Sequence, residues 1–177
     1  MMRAVPVTWV RLSLDLDDGA SAARAACAPA LPGLTVTSLQ ELGDPGRRRR
    51  EVYELNKACS ADIPGRGEFF TFEEYVPLRL EAPGTRADGF VLALDDDNPV
   101  GMCQLTCPPG RPWAFIEMTG VLRPYRRRGV ATAMKLRALA TARSWGCSEV
   151  RTVHHPGNAA IIAANRQLGF RDADFGV

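Results

Sequence analysis

Four arginines, Arg123, Arg126, Arg127 and Arg128, crowd between an apolar segment and Gly129, which opens an alanine-rich run. A helix starting there presents unpaired backbone N–H groups and a partial positive charge, and both attract phosphate. Cations at that end disfavour an isolated helix, so Arg126, Arg127 and Arg128 are costly there unless an anion arrives. Gly129 lets a ligand approach the backbone with no Cβ in the way. A solvated arginine loop is the plainer reading of this segment alone. Just upstream, Glu117 interrupts an apolar stretch, on the strand face of Phe115 and Thr119. Desolvation there raises a carboxyl pKa towards neutrality and suits proton transfer, although a salt-bridged or edge-facing glutamate fits the same pattern. The chain's two histidines, His154 and His155, are adjacent at the end of another apolar segment. Neighbours on a strand point oppositely, so at most one serves as a base or meets a ligand.

The elements that must position these groups are legible from period and punctuation. Val10, Leu12, Leu14 and Leu16 alternate with polar residues, as in a half-buried strand. A short helix is predicted over 21–27, a strand over 34–39, and a helix over 47–60 with Val52, Leu55 and Cys59 on one face. A second short helix follows near 72–80. Strands are predicted over 89–94, 100–105 and 113–122, with turns at 95–98 and 108–112. A long helix over 128–145 carries Val130, Ala133, Leu136 and Ala140 inward, and Gly146 caps it. A strand over 149–153 and a helix over 158–168, with Ile161 and Leu168 inward, complete a mixed α/β layer architecture. The organisation reads as an N-terminal strand and helix over 1–33 followed by one domain over 34–177.

Composition narrows the function classes. A chain of 177 residues with 46% hydrophobic and 24% charged residues is ordinary for one globular domain. The net charge of +2 is too small to argue by itself for nucleic acid or membrane. Arg47–Arg50 could touch nucleic acid, but a solvated helix start is the simpler reading. Of the five cysteines only Cys103 and Cys107 are close, and no His or Cys pair completes a metal pattern. The odd count and the absence of an export-like segment near the start predict a reducing, cytoplasmic setting.

Arg126-x-x-Gly129-x-Ala131 resembles the coenzyme A signature of GNAT-type N-acetyltransferases, Gln/Arg-x-x-Gly-x-Gly/Ala. Asn158-Ala-Ala-Ile-Ile-Ala-Ala-Asn165-Arg-Gln-Leu168-Gly169-Phe170 resembles the family's last helix and its ending. One long helix and one strand separate the two motifs, as in the family. Each motif alone is weak; the ordered pair is specific over 117–170. The resemblance implies a mixed, mostly antiparallel sheet flanked by helices, with two strands splayed around acetyl-CoA. It also implies acetyl transfer to a primary amine through a tetrahedral intermediate, with no metal. By the same resemblance, the backbone N–H groups of Arg127, Arg128, Gly129, Val130 and Ala131 hold the pyrophosphate, beside Arg126. Val121 and Leu122 border the pantetheine arm, and Asn158 contacts the coenzyme further along.

Acetyl transfer needs a neutral amine. An amine of pKa about 10.4 pays roughly 4.6 kcal/mol to be neutral at pH 7. Glu117 is the first candidate base and His154 the second. The oxyanion donor is implied on the backbone near Gly120–Val121. Many family members protonate the leaving thiolate with a tyrosine four residues before the final glycine, where this chain has Asn165. An amide donates a hydrogen bond but supplies no proton. Asp62, Glu68, Glu73 and Glu74 fall in the segment that resembles the family's acceptor-binding region, where Asp62, Glu73 and Glu74 suit a cationic amine or amino group. After Phe170 the family usually adds more strand, and this chain has little left to supply it. An open sheet edge must be covered, so the N-terminal strand or a strand from a second copy in a homodimer is expected there. Asn165 and the short tail leave two alternatives open: a coenzyme-binding module without activity, or half of a tandem acetyltransferase. Arginine-mediated nucleic-acid binding is a third, weaker reading.

Overall fold

The computed structural model describes residues 8–20, 28–43, 46–63, 65 and 67–176, so the helix expected over 21–27 lies outside the described residues. The chain order is β1 (Val10–Asp15), β2 (Leu34–Ser38), α1 (Leu39–Leu42), α2 (Gly46–Ser60), α3 (Phe72–Tyr75) with a π turn at Val76–Leu80, β3 (Thr85–Asp95), β4 (Asn98–Thr106), β5 (Trp113–Val121), a 3₁₀ turn at Arg123–Tyr125, α4 (Val130–Ser144), β6 (Glu149–His154), α5 (Ala159–Gln167) and β7 (Arg171–Asp172). Seven strands form one sheet in the order β2-β3-β4-β5-β6-β1-β7. Among the described residues only β5 and β6 pair in parallel; every other neighbour is antiparallel. This is the mixed, mostly antiparallel sheet that the resemblance implies.

Helices cover both faces. On one, Val52, Leu55 and Cys59 of α2 meet Phe90, Leu92 and Met102. On the other, Val130, Met134, Ala138 and Ala142 of α4 meet Leu12, Leu14, Val91, Cys103, Leu105 and Ile116. The buried face of α4 differs from the expected one. Its stripe runs through Val130, Met134, Ala138 and Ala142, with Lys135 and Leu139 beside it, while Ala140 is exposed. Sequence reasoning keeps a lysine outside because burying an ammonium is costly; here Lys135 is 0% exposed. That one residue rotates the helix face.

Two boundaries shift for local reasons. β2 stops at Ser38 because its hydroxyl accepts from Glu41 N–H while the Glu41 carboxylate accepts from Ser38 N–H, a capping box that starts α1. α4 starts at Val130 because Gly129, at φ 82°, takes a left-handed conformation that ends the preceding turn. The sheet edge beside β6 is occupied by β1, paired from Val10↔His154 to Asp15↔Glu149, and β7 pairs with β1 in turn.

The arginines of 47–50 are used within the fold. Arg47 pairs with Asp97 at 2.5 Å, Arg48 also pairs with Asp97, and Arg50 lies 3.7 Å over the Phe72 ring. Among the described residues no helix is long and apolar enough to cross a membrane. No His/Cys/Asp/Glu cluster among them could hold a metal.

Candidate functional site

The site begins where two strands part. β5 and β6 pair from Trp113↔Glu149 to Ile116↔Thr152, and β5 then runs on to Val121 with no partner on that side. Backbone groups between 117 and 120 on this edge are left open to whatever enters the gap. On its other side, β5 slips register against β4: Gln104 faces Met118 and Leu105 faces Ile116, so Glu117 is the extra residue of a bulge. A bulge re-aims a side chain. Here it turns the Glu117 carboxylate towards the α3 side, where it accepts from Arg79 at 3.2 Å and from the Thr106 hydroxyl at 3.0 Å. The Glu117 side chain is 28% exposed. The ion-paired reading of the glutamate is the one the structure shows. Gly120 serves packing: a Cβ there would meet the Cys59 Cβ at 2.4 Å, so only glycine lets α2 lie this close to β5.

A groove of about 440 Å³ runs from this gap to the start of α4. Val121, Arg126, Arg127, Gly129, Val130, Ala131 and Asn158 line it; Leu122 and Arg128 do not. Gly129 caps α4 without any side-chain bond, so the first N–H groups of this helix have no capping partner. Arg127 is left-handed at φ 62°, which shapes the turn. The arginines divide their work. Arg126 donates to the Val121 carbonyl at 2.8 Å and to Asp62 at 2.5 Å, and Arg123 also reaches Asp62 at 2.5 Å. These two guanidiniums hold the Asp62 carboxyl far below the usual carboxylate range. Asp62 is thereby committed to bracing the arginine turn. Arg128 lies 5.5 Å from the Tyr125 ring, and the Tyr125 hydroxyl donates to Asp95 at 2.6 Å.

A second cavity of about 280 Å³ adjoins the groove, sharing Ile63, Met118, Thr119, Asn158 and Ile161 with it. Its wall also contains Trp9, Glu117, Val153, His154 and His155. Glu73 and Glu74 are exposed and line neither space; the Glu74 carboxylate instead closes a capping box on Thr71. Ile161, expected inward on α5, faces the cavity, and Ile162 takes the buried position.

The histidines differ as strand alternation requires. His154 Nε2 accepts from the Asn165 amide at 2.7 Å, since Nδ2 can only donate, and it also lies 3.2 Å from the Thr152 hydroxyl. Burial, with a smaller push from Lys135, takes the His154 pKa down to about 4, so the ring is neutral at pH 7. His155 Nδ1 accepts from Gly157 N–H at 3.0 Å, and its ring meets Trp9. Beneath His154 the interior is polar but unpaired. Lys135 Nζ and Asn165 Oδ1 are buried without a hydrogen-bond partner, and burial pushes the Lys135 pKa down.

Sequence reasoning missed Trp9, Ile63, Met118 and Thr132. Trp9 carried a usable signal, standing just before an alternating strand beside the sheet edge. The others gave none, because they are reached through the fold.

The sequence and the fold have counterparts among known proteins. The sequence profile of the acetyltransferase (GNAT) family matches residues 49–170. No curated protein matches the chain in sequence. Its fold is shared with a GCN5-related N-acetyltransferase from Sphaerobacter thermophilus (TM-score 0.72, 23% identity, 96% of this chain and 50% of that one). It is also shared with a tandem GNAT protein from the clavulanic acid biosynthesis pathway (TM-score 0.70, 22% identity, 97% of this chain and 52% of that one). A third is the ribosomal-protein-S18-alanine N-acetyltransferase from Escherichia coli (TM-score 0.59, 14% identity, 80% of this chain and 79% of that one). The chain spans about half the length of the first two. With more than half of its residues matched by the profile, the chain belongs to the acetyltransferase (GNAT) family.

Proposed function

We propose that the chain holds acetyl-CoA in the groove between β5 and α4 and passes the acetyl group to a primary amine in the adjoining cavity. The observation that carries this reading is the continuity of three features: helix N–H groups without a side-chain cap, a strand edge left unpaired among the described residues, and a carboxylate in the adjoining cavity, one residue before Met118, which lines both spaces. The groove suits the coenzyme in kind. Anionic phosphate matches the α4 N-terminus and Arg127, and an amide-rich pantetheine chain matches the open edge of β5 as an added strand would.

In this reading the chain orients a thioester beside Thr119–Val121, where the Thr119 and Val121 N–H groups, on the side away from β4, supply the donor for developing oxyanion charge. Glu117, held by Arg79 and Thr106, accepts the proton from the incoming ammonium, directly or through water. His154 is a weaker candidate for that task, because its pKa near 4 and its occupied Nε2 leave little basicity to use. The Asn165 amide is spent on His154, so the departing thiolate takes its proton from solvent, which a thiol of pKa about 8.5 permits. Asn158 makes no cap at α5 and keeps its side chain for the coenzyme.

Release of free thiol from acetyl-CoA across a panel of primary amines tests the reaction. Gly129→Glu tests the groove: calorimetric titration should show coenzyme binding lost by about 100-fold or more, with the helical signal kept. Unchanged affinity would remove the assignment.

A second reading has one specific observation behind it. The chain spans 52% of a tandem GNAT protein. As half of such a tandem it would bind coenzyme without turnover, and thiol release that stays at background with coenzyme bound would favour it.

A further inference from the structure

We propose that Trp9 is a specificity-determining residue: the acceptor is a primary amine with a flat or branched apolar group next to it, and that group rests on the Trp9 ring. The inference rests on the reading of Glu117 as the group that meets the amine. Trp9 and Leu78 are the exposed large hydrophobic residues among those described, and Trp9 is 47% exposed. Its position follows from β1. Leu12 and Leu14, 0% and 2% exposed, turn into the core under α4. Alternation from Val10, which pairs with His154, sends Trp9 and His155 to the other face. There the two rings meet edge to face, with centroids 5.6 Å apart and planes at 89°.

That contact holds the indole in the wall of the 280 Å³ cavity that contains Glu117. Ile63, Met118, Val153 and Ile161 supply the apolar part of the wall, and Thr119, His154, His155 and Asn158 its other polar part. Glu117 is its one carboxylate among the described residues. A single carboxylate on a wall that is about half apolar, with the Trp9 ring on it, matches an acceptor with one cationic end and an apolar group beside it. A second positive charge on the acceptor would meet no second carboxylate among the described lining residues. An aromatic wall of this kind contributes both area and an oriented ring face. Trp9 lies outside residues 49–170, so the family match does not account for it. A free arylalkylamine and a peptide whose first residue is large and apolar share this chemistry.

The test uses the full chain with acetyl-CoA and two pairs of probes: phenethylamine against ethylamine, and Phe-Gly-Gly against Gly-Gly-Gly. The expected kcat/KM ratio is about tenfold or more within at least one pair, and the pair that shows it names the source. Trp9→Ala should bring that ratio to within about threefold of unity by raising the acceptor KM, with the KM for acetyl-CoA unchanged. Trp9→Phe should keep most of it. A ratio near one in the wild-type protein, or one that survives Trp9→Ala, overturns the proposal. If no probe turns over, the same comparison is made by calorimetric binding to the CoA-loaded protein, where absence of binding also overturns it. A dimer that Trp9→Ala dissociates, with the ratio unchanged, places the indole against a second copy and overturns it as well. The parent reading fails separately. If Glu117→Gln leaves the rate intact while Trp9→Ala abolishes the preference, the carboxylate loses its role and the aromatic wall keeps its own.

Discussion

The gap between β5 and β6 has two faces, and they treat polar side chains in opposite ways. On the α3 face Glu117 is ion-paired, hydrogen-bonded and 28% exposed. On the α4 face Lys135 is 0% exposed and Asn165 is 0% exposed, each with an unpaired atom, and burial holds the neighbouring His154 neutral. One face keeps an ion pair in reach of water; the other buries its polar groups. Adjacent histidines make the point within one strand end: His155 meets Trp9 in the cavity wall, while His154 is locked to Asn165 beneath it. Residue type therefore says little here about chemistry until the face is known. Desolvation decides protonation, and the strand period decides desolvation.

The largest test of that contrast is Glu117→Gln. It should lower kcat/KM by about 10²–10⁴-fold, while His154→Leu should change the rate far less. Steady-state thiol release across pH decides between them, and equal losses in the two variants would erase the division of labour.

The dry face should show itself in stability. With a folded pKa near 4 against 6.5 for the unfolded chain, His154 binds its proton only when the fold opens. Its contribution is complete above pH 6.5 and is lost as pH falls from there to about 4, at a cost on the order of 3 kcal/mol. Urea unfolding at pH 7 and pH 4.5 measures this, and His154→Leu should remove that part of the acid slope. A slope unchanged by the substitution would mean that the ring is solvated.

Lys135 makes the smallest and most one-sided prediction. Its pKa is lowered by burial, so the cost of burying it grows as pH falls below its unfolded value near 10.5. Lys135→Met should raise stability at pH 7 by about 1–3 kcal/mol, with the gain shrinking towards pH 10. Destabilisation instead would show that the ammonium has a partner, and the α4 face would then carry charge after all.

Much of this molecule was legible before folding. The strand periods of 89–94, 100–105 and 113–122, the apolar stripe Val52, Leu55 and Cys59, and the arginine turn before Gly129 all lie where the structure has them, because each is a local pattern. The capping box of Ser38 and Glu41 was legible too, although the strand prediction ran through it to 39. The α4 stripe was not, since a buried lysine defeats a rule that places ammonium groups in water. Nor were the fates of the acids. Asp62, Glu73 and Glu74 look alike in sequence, yet one braces two arginines, one closes a cap and one is simply exposed.

The sequence by itself determined the family, the arginine turn before Gly129, and the carboxylate and histidines that border the gap, because short-range spacing encodes helix starts and strand faces. Only the tertiary structure decided that Glu117 sits on a bulge beside Arg79, that burial holds His154 neutral, and that Trp9, just before β1, joins the cavity wall of Glu117. Those outcomes depend on the register of strands distant in sequence and on what water can reach. Neither quantity is written in any local stretch of residues.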